Sequence, residues 1–326
     1  MGIRYLNRFL KDNASTSIKL CKLTELSGKK IAVDISIYMY RFAADNTLVE
    51  NIYLMLSVFR HFNIIPIFIF DGKPPPEKRE LLQKRKEDKQ EAEEEYNKLK
   101  KSLEINKDMD DADKQEIIYN MDMLKKKFIS INKNDTDQIK NLIRAYGATY
   151  YDAPGEADEL CAMLTIKEKV WGCLSEDMDM FVYGCPRVIR YLSLLNHTAV
   201  IYDVKGILNN LGISQKELRE ICVLSGTDYN LSCDDSKNTL NNTLKQFKKY
   251  HKSKSKPELD FYNWLNANHN DYIKDFDLLK KIYDMFDLNI NHFNIKVFEK
   301  IKIQNGPMLE DEIKSILKTD GFIFPV

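Results

Sequence analysis

The run Lys169-Val170-Trp171-Gly172-Cys173-Leu174, followed at once by Ser175-Glu176-Asp177-Met178-Asp179, decides the fold. The first six residues are mostly apolar and read as a short buried strand. The next five place acids where that strand stops. Open α/β sheets hold their ligand crevice outside the carboxyl ends of the strands. A single strand-end Asp is more often a turn or cap residue than a ligand, so the reading depends on repetition.

Working outward, the pattern recurs. Lys30-Ile31-Ala32-Val33-Asp34 reads as a buried strand ending in an acid, and a helical period follows from Ser36 to Phe59. Asn63 to Phe70 reads as a second strand, ending at Asp71; Pro74-Pro75-Pro76 then forbids any further ladder. Ala148 to Tyr151 reads as a third strand. Its loop leads to Glu156 and Asp158 at the start of a helix running to about Lys169, where acids also suit the helix dipole. Arg187 to Leu192 and Thr198 to Tyr202 predict a terminal hairpin, and Gln215 to Leu224 an amphipathic helix. The expected fold is α/β: a mostly parallel central sheet with helices on both faces, a helical insertion and a helical C-terminal region.

That insertion is marked by composition. No Gly or Pro occurs from Glu77 to Tyr146, and Lys, Glu, Asp, Gln and Leu dominate. Two long helices joined near residues 106–111 are expected, by composition alone a solvated antiparallel pair or a partly disordered segment. The chain therefore divides into residues 1–76 and 135–235, which build the core, the insertion 77–134, and a mostly helical region 236–326.

The 326 residues are 44% hydrophobic and 30% charged, with zero formal net charge. No global field draws the chain to a polyanion, so an electrostatic partner needs a local patch. One lies between Asp235 and Glu258, where seven lysines, including Lys245, Lys248, Lys249 and Lys252, occur without an acid. The six cysteines form no CxxC pair and read as reduced core thiols. The dispersed histidines argue against zinc. No apolar run is long enough to span a bilayer and no signal-peptide core is present. An intracellular location is expected, with no membrane partner. Nothing in the sequence signals oligomerisation, so a monomer is expected.

The strand-end acids Asp34, Asp71, Glu156, Asp158, Asp177 and Asp179 would converge on one sheet edge. Carboxylates that close repel and raise one another's pKa, so cations between them are expected. All-oxygen ligation points to Mg²⁺, Mn²⁺ or Ca²⁺. Six or seven acids exceed what one Mg²⁺ uses; two ions about 3.5–4 Å apart would suit in-line phosphodiester hydrolysis. A phosphatase of the haloacid type also gathers aspartates at strand ends, but it wants an Asp-x-Asp start that Asp34-Ile35-Ser36 does not supply.

The words around these acids carry a resemblance. Met1-Gly2-Ile3, Val33-Asp34-Ile35-Ser36, Phe70-Asp71-Gly72-Lys73-Pro74-Pro75, Ala153-Pro154-Gly155-Glu156-Ala157-Asp158, Ser175 to Asp179 and Gly226-Thr227-Asp228-Tyr229 stand in family order and approximate spacing. Over about residues 1–235 the chain resembles the flap endonucleases and their xeroderma-group-G relatives, structure-specific 5′ nucleases. The resemblance implies a PIN-like (resolvase-like) fold. It implies one metal near Asp34, Asp71, Glu156 and Asp158 and a second near Asp177, Asp179 and Asp228, both Mg²⁺, with Mn²⁺ able to substitute. It turns the insertion into an arch that passes a 5′ single strand, with Lys78 and Arg85 on its first helix aimed at the scissile phosphate; seven residues apart, they would share one helical face. It makes Tyr40 a stacking platform and Gly2 a point of close approach to DNA. The implied activity is endonuclease and 5′-exonuclease cleavage of branched or flapped DNA in replication, repair or recombination. RNA cleavage of host-shutoff type and a catalytically inactive nucleic-acid-binding scaffold are the alternatives.

The chain also departs from the family. Asn230 to Thr243 lacks the Gly-hydrophobic-Gly turn that binds duplex phosphates, often through a monovalent cation, so that cation is not expected. The lysines from 245 onward offer plain electrostatics instead. Asp158 is one methylene shorter than the Glu of eukaryotic members. No sliding-clamp motif is found at the C-terminus.

Overall fold

The computed structural model describes residues 3–105, 111–230, 239–253, 259–269, 272–288, 298 and 301–323. A seven-stranded sheet in the order β1-β7-β6-β5-β2-β3-β4 forms its centre. β2 (Lys30–Asp34), β3 (Ile65–Phe70), β4 (Thr149–Asp152), β5 (Gly172–Leu174) and β6 (Arg187–Ser193) run parallel to their neighbours in this order. β7 (Thr198–Asp203) returns antiparallel to β6, and β1 (Ile18–Lys22) pairs antiparallel with β7. β3 and β4 continue to one side of β2, and β5 lies on the other. That reversal puts a crevice at the carboxyl ends of β2 and β5.

The central strands β2, β3 and β5 are buried on both faces, which is why β2 and β3 read as continuous apolar runs. Alternate residues separate into two cores, as the two-residue period of a strand requires. Ala32, Ile67, Ile69 and Cys173 pack with α7 (Ala157–Ile166), α8 (Asp179–Tyr183) and α10 (Gln215–Leu224). Ile31, Val33, Phe68, Phe70 and Leu174 pack with α2 (Ser36–Ala44), α3 (Leu48–His61) and α6 (Lys133–Ala145). Cys21, Cys161, Cys173, Cys185 and Cys222 are buried free thiols; Cys233 lies outside the described residues.

Several elements differ from the sequence reading. The helix expected from Ser36 to Phe59 is two helices, α2 and α3, broken at Asp45-Asn46-Thr47. Asn46 takes a left-handed φ of 54°, and the Thr47 hydroxyl bonds back to the Phe42 carbonyl at 3.3 Å. The helix after Glu156 stops at Ile166, and β5 begins only at Gly172. β1 was not anticipated.

The insertion forms α4 (Arg79–Ile105) and α5 (Asp111–Lys127), packed on each other through the edge-on rings of Tyr96 and Phe128. The expected tip falls on residues 106–110, outside the described residues. Lys78 is not on the first long helix but in the 3₁₀ turn Pro76–Lys78 before it. Among the described residues no helix is long and apolar enough to cross a membrane.

The chain's far end returns to the core. Gly306 N donates to Gly147 O at 2.7 Å and Leu309 N to Ala145 O at 2.7 Å. Arg60 ties Tyr146 O and Gly306 O together, at 3.1 and 3.0 Å. The helix Glu310–Thr319 then packs Ile313 and Leu317 onto α6.

α10 carries a buried acid, Glu220, 4% exposed, with Lys216 3.8 Å away. Burial raises its pKa from 4.5 to about 7; Lys216 opposes the rise, and Asp260 and Glu217 add to it. The folded state therefore holds this proton more tightly than the unfolded chain. The stability so gained is full below pH 4.5 and lost as pH rises through 7. Glu220→Gln should raise stability at pH 8 by about 3 kcal/mol and have little effect at pH 4.5. Thermal unfolding of both proteins at the two pH values checks this; an equal shift at both would refute the buried-proton account.

Candidate active site

Each acid is set by the element it terminates. Asp34 is the last residue of β2, and Asp71 follows the last residue of β3. Glu156 precedes α7 and Asp158 lies in its first turn. Asp177 lies between β5 and α8, Asp179 opens α8, and Asp228 follows α10. A cavity of about 550 Å³ at the carboxyl edge of the sheet is lined by Asp34, Asp71, Glu156, Asp158, Asp177 and Asp228, together with Tyr40, Lys78 and Arg85. Asp179 is buried behind this lining, 3% exposed.

The loops are laced to one another. Ser175 Oγ donates to Asp34 Oδ2 at 2.9 Å, and Asp177 N donates to Ser175 Oγ at 3.1 Å. Asp177 Oδ1 accepts from Asp179 N at 3.0 Å, and Asp71 Oδ1 from Ala157 N at 2.9 Å. Gly72 N donates to Gly155 O at 2.7 Å. A Cβ at Gly72 would meet Ala153 O at 2.0 Å and the Pro154 carbonyl carbon at 2.9 Å, so these backbones touch only because residue 72 has no side chain. Gly72→Ala must push the loop carrying Glu156 and Asp158 away from Asp71. A protein that still folds but has lost about 10²-fold or more in turnover is expected, the scale of a 1 Å misplacement; far-UV circular dichroism and the rate together check it.

Burial and mutual repulsion dominate the electrostatics. Burial, then the Asp71 charge, lifts Asp34 from 3.8 to about 7. Burial, then Asp177, puts Asp158 and Asp179 well above the carboxylate range. Asp179 Oδ1 is buried with no hydrogen-bond partner. Two basic residues answer part of this charge. Lys78 pairs with Glu156, and Arg85 Nη2 lies 2.9 Å from Asp228 Oδ2. Burial pulls the Lys78 pKa down, but Glu156, Asp158 and Asp228 outweigh it and hold it above 10.5.

The donor set is all carboxylate oxygen, which suits a hard divalent cation and not zinc or copper. The orphaned Asp179 oxygen and the repelling carboxylates are what such cations would satisfy. Among the described residues no three acids stand close enough to grip an ion as they are placed. Glu156 is taken up by Lys78 and by the Tyr229 hydroxyl, and Asp228 by Arg85.

Tyr40 is 46% exposed at the cavity wall, with Lys89 Nζ 5.2 Å from its ring centroid. The sequence reading overlooked Lys86, Lys89, Ile37 and Leu82 in the lining. It also gave no role to the Ser175 and Tyr229 hydroxyls. Both stand inside quoted motifs, so the signal was present but masked by the acids. Lys245, Lys248, Lys249 and Lys252 lie on a separate helix, α11 (Leu240–Lys252), away from the acids. The first three line a second cavity with Tyr272. Gly2 and residues 231–238, where the missing turn would lie, fall outside the described residues.

The sequence matches two family models, the XPG N-terminal domain over residues 1–92 and the XPG I-region over residues 147–228. Flap endonuclease 1 of Cryptosporidium muris is 30% identical over 353 aligned residues, covering 99% of this chain and 70% of that protein. The chain belongs to the XPG and flap endonuclease family. Flap endonuclease 1 of Glycine max is 32% identical over 72% of this chain, which spans 62% of that relative's length. The family fold is evident in solved structures. The catalytic core of Rad2 in complex with DNA substrate superposes with a TM-score of 0.63 at 22% identity, over 98% of this chain and 95% of that one. Flap endonuclease-1 from Methanococcus jannaschii gives 0.55 at 20% identity, over 93% and 95%. Members of this family are metal-dependent nucleases.

Proposed function

We propose that the chain is a structure-specific 5′ nuclease, a flap endonuclease with 5′-exonuclease activity, that hydrolyses phosphodiesters in branched or flapped DNA. The observation that carries this is the gathering of six carboxylates from five chain segments around one cavity, with Asp179 buried behind them and Lys78 and Arg85 facing them. Asp34, Asp71, Glu156 and Asp158 would hold one Mg²⁺, and Asp177, Asp179 and Asp228 a second; Mn²⁺ would substitute. When bound, the ions supply an activated water and a sink for charge on the leaving oxygen. Lys78 and Arg85 exchange their carboxylate partners for the transferring phosphate and stabilise its charge. Tyr229 and Ser175 keep Glu156 and Asp34 oriented. Tyr40 stacks on the nucleotide beside the cut. The products carry a 5′-phosphate and a 3′-hydroxyl, and the polypeptide forms no covalent bond to substrate.

In this reading residues 77–134 form the arch over the strand, and Lys245, Lys248, Lys249 and Lys252 hold duplex phosphates by charge. Gly2 lets the backbone approach the DNA. The chain acts as a monomer at sites of DNA replication or repair, in the nucleus where there is one. The test is a gel assay on a 5′-labelled double flap, a 3′-overhang control and the matching RNA flap, with Mg²⁺ and with EDTA. Metal-dependent cutting near the flap base of the DNA is expected. Cutting of the RNA alone would transfer the site to RNA, and no cutting of either with binding retained would make the chain a scaffold.

A further inference from the structure

A second concave site lies at the opposite edge of the sheet, at the strands' amino ends. Lys30 opens β2 and Arg187 opens β6, while Trp171 precedes β5. From Lys30 to Asp34 the strand covers about 13 Å, so this edge is well separated from the carboxylates. A cavity of about 520 Å³ is lined there by Lys29, Lys30, Lys169, Arg187, Trp171 and a single acid, Glu168.

The half-buried indole organises the cations. Lys29 Nζ stands 5.7 Å and Arg187 Cζ 5.1 Å from the Trp171 ring centroid. Arg187 Nη1 donates to Trp171 O at 3.3 Å, and Trp171 N to Lys30 O at 2.7 Å. Among the described residues, none of the four cations is ion-paired with a carboxylate. In a chain of zero net charge, four cations without a carboxylate partner around one concavity make a local positive field that favours an anion.

We propose that this cavity is a second nucleic-acid site, which takes the phosphates of a single strand remote from the cutting centre. A row of cations with an aromatic at its rim is how sequence-independent single-strand binding is built. Free nucleoside phosphates offer the same chemistry and are the other source to separate. The site does not depend on metal or on cutting, so it stands or falls apart from the nuclease reading.

The chain contains two tryptophans, Trp171 and Trp264, and the latter is 6% exposed in another part of the core. Full-length protein carrying 5-fluorotryptophan therefore holds a reporter at the site and an internal reference. In EDTA, to prevent cleavage, it would be titrated with a ten-residue oligothymidylate, ATP, tripolyphosphate and an oligoglutamate peptide. Trp171→Phe assigns the resonances. The oligonucleotide should shift the Trp171 resonance saturably and leave Trp264 in place. Raising salt from 50 to 200 mM should weaken binding about tenfold or more, as should Lys169→Ala with Arg187→Ala. Binding of ATP or tripolyphosphate as tight as that of the oligonucleotide would overturn the single-strand assignment and make free polyphosphate the occupant. No shift, a shift unchanged in the double variant, or a preference for oligoglutamate would overturn the proposal.

Discussion

Asp179→Asn should abolish cleavage and, at the same time, raise the melting temperature of the metal-free protein. The two effects have one origin. Asp179 is buried, its Oδ1 has no partner, and Asp177 and Asp228 oppose its charge. Neutralising it removes an anion that the fold accommodates only for the sake of a cation. The loss in turnover should be about 10³-fold or more, the scale of deleting one principal electrostatic group. The gain in stability should be about 1–2 kcal/mol, relief of like-charge repulsion from Asp177 and Asp228 on a buried group, and a few degrees in Tm. Single-turnover cleavage with Mg²⁺ and thermal unfolding in EDTA check the two halves. Retained cutting, or an unchanged or lowered melting temperature, would show that Asp179 is not a strained ligand.

Lys78→Ala should also cost about 10²–10³-fold in turnover, yet move stability the other way. Its ammonium pairs with Glu156 and lies 5.8 Å from the Tyr229 ring centroid. Removing it leaves a carboxylate facing other carboxylates, so the metal-free protein should melt lower. Mg²⁺ should restore most of the difference, because the ions replace the lost positive charge. A variant whose melting temperature is insensitive to Mg²⁺, or whose turnover falls less than about tenfold, would remove Lys78 from the cutting machinery. Reading the pair together separates a ligand from a counter-ion: both lose activity, and their metal-free stabilities diverge.

Much of this was legible in the chain. Lys30 to Asp34 and Ile65 to Phe70 are buried on both faces, so they appear as unbroken apolar runs that end in acids, and the terminal hairpin alternates as expected. The strand Ile18–Lys22 was not visible because it pairs with residues 180 positions away, and Leu20 on it is 68% exposed. The break at Asp45-Asn46-Thr47 was missed because neither Gly nor Pro marks it. Three turn-forming polar residues in a row were the available signal. The seven acids were found through the words around them. How Lys78, Arg85, Tyr229 and Ser175 share those acids depends on distances that no linear pattern encodes.

The clasp formed at Gly147 and Gly306 has a consequence for synthesis. Arg60 closes on the Gly306 carbonyl 246 residues later. At about 5–20 residues per second, on the order of ten seconds or more passes on the ribosome between those two residues. From its own synthesis until residue 313, the outer face of α6, with Ile139 and Leu142 beneath it, waits for Ile313 and Leu317. All seven acids have by then been synthesised, since the last is Asp228. The nascent polypeptide thus carries all seven site acids before residues 306–317 can close the core, so completion of the fold, not emergence of the acids, sets when the molecule matures.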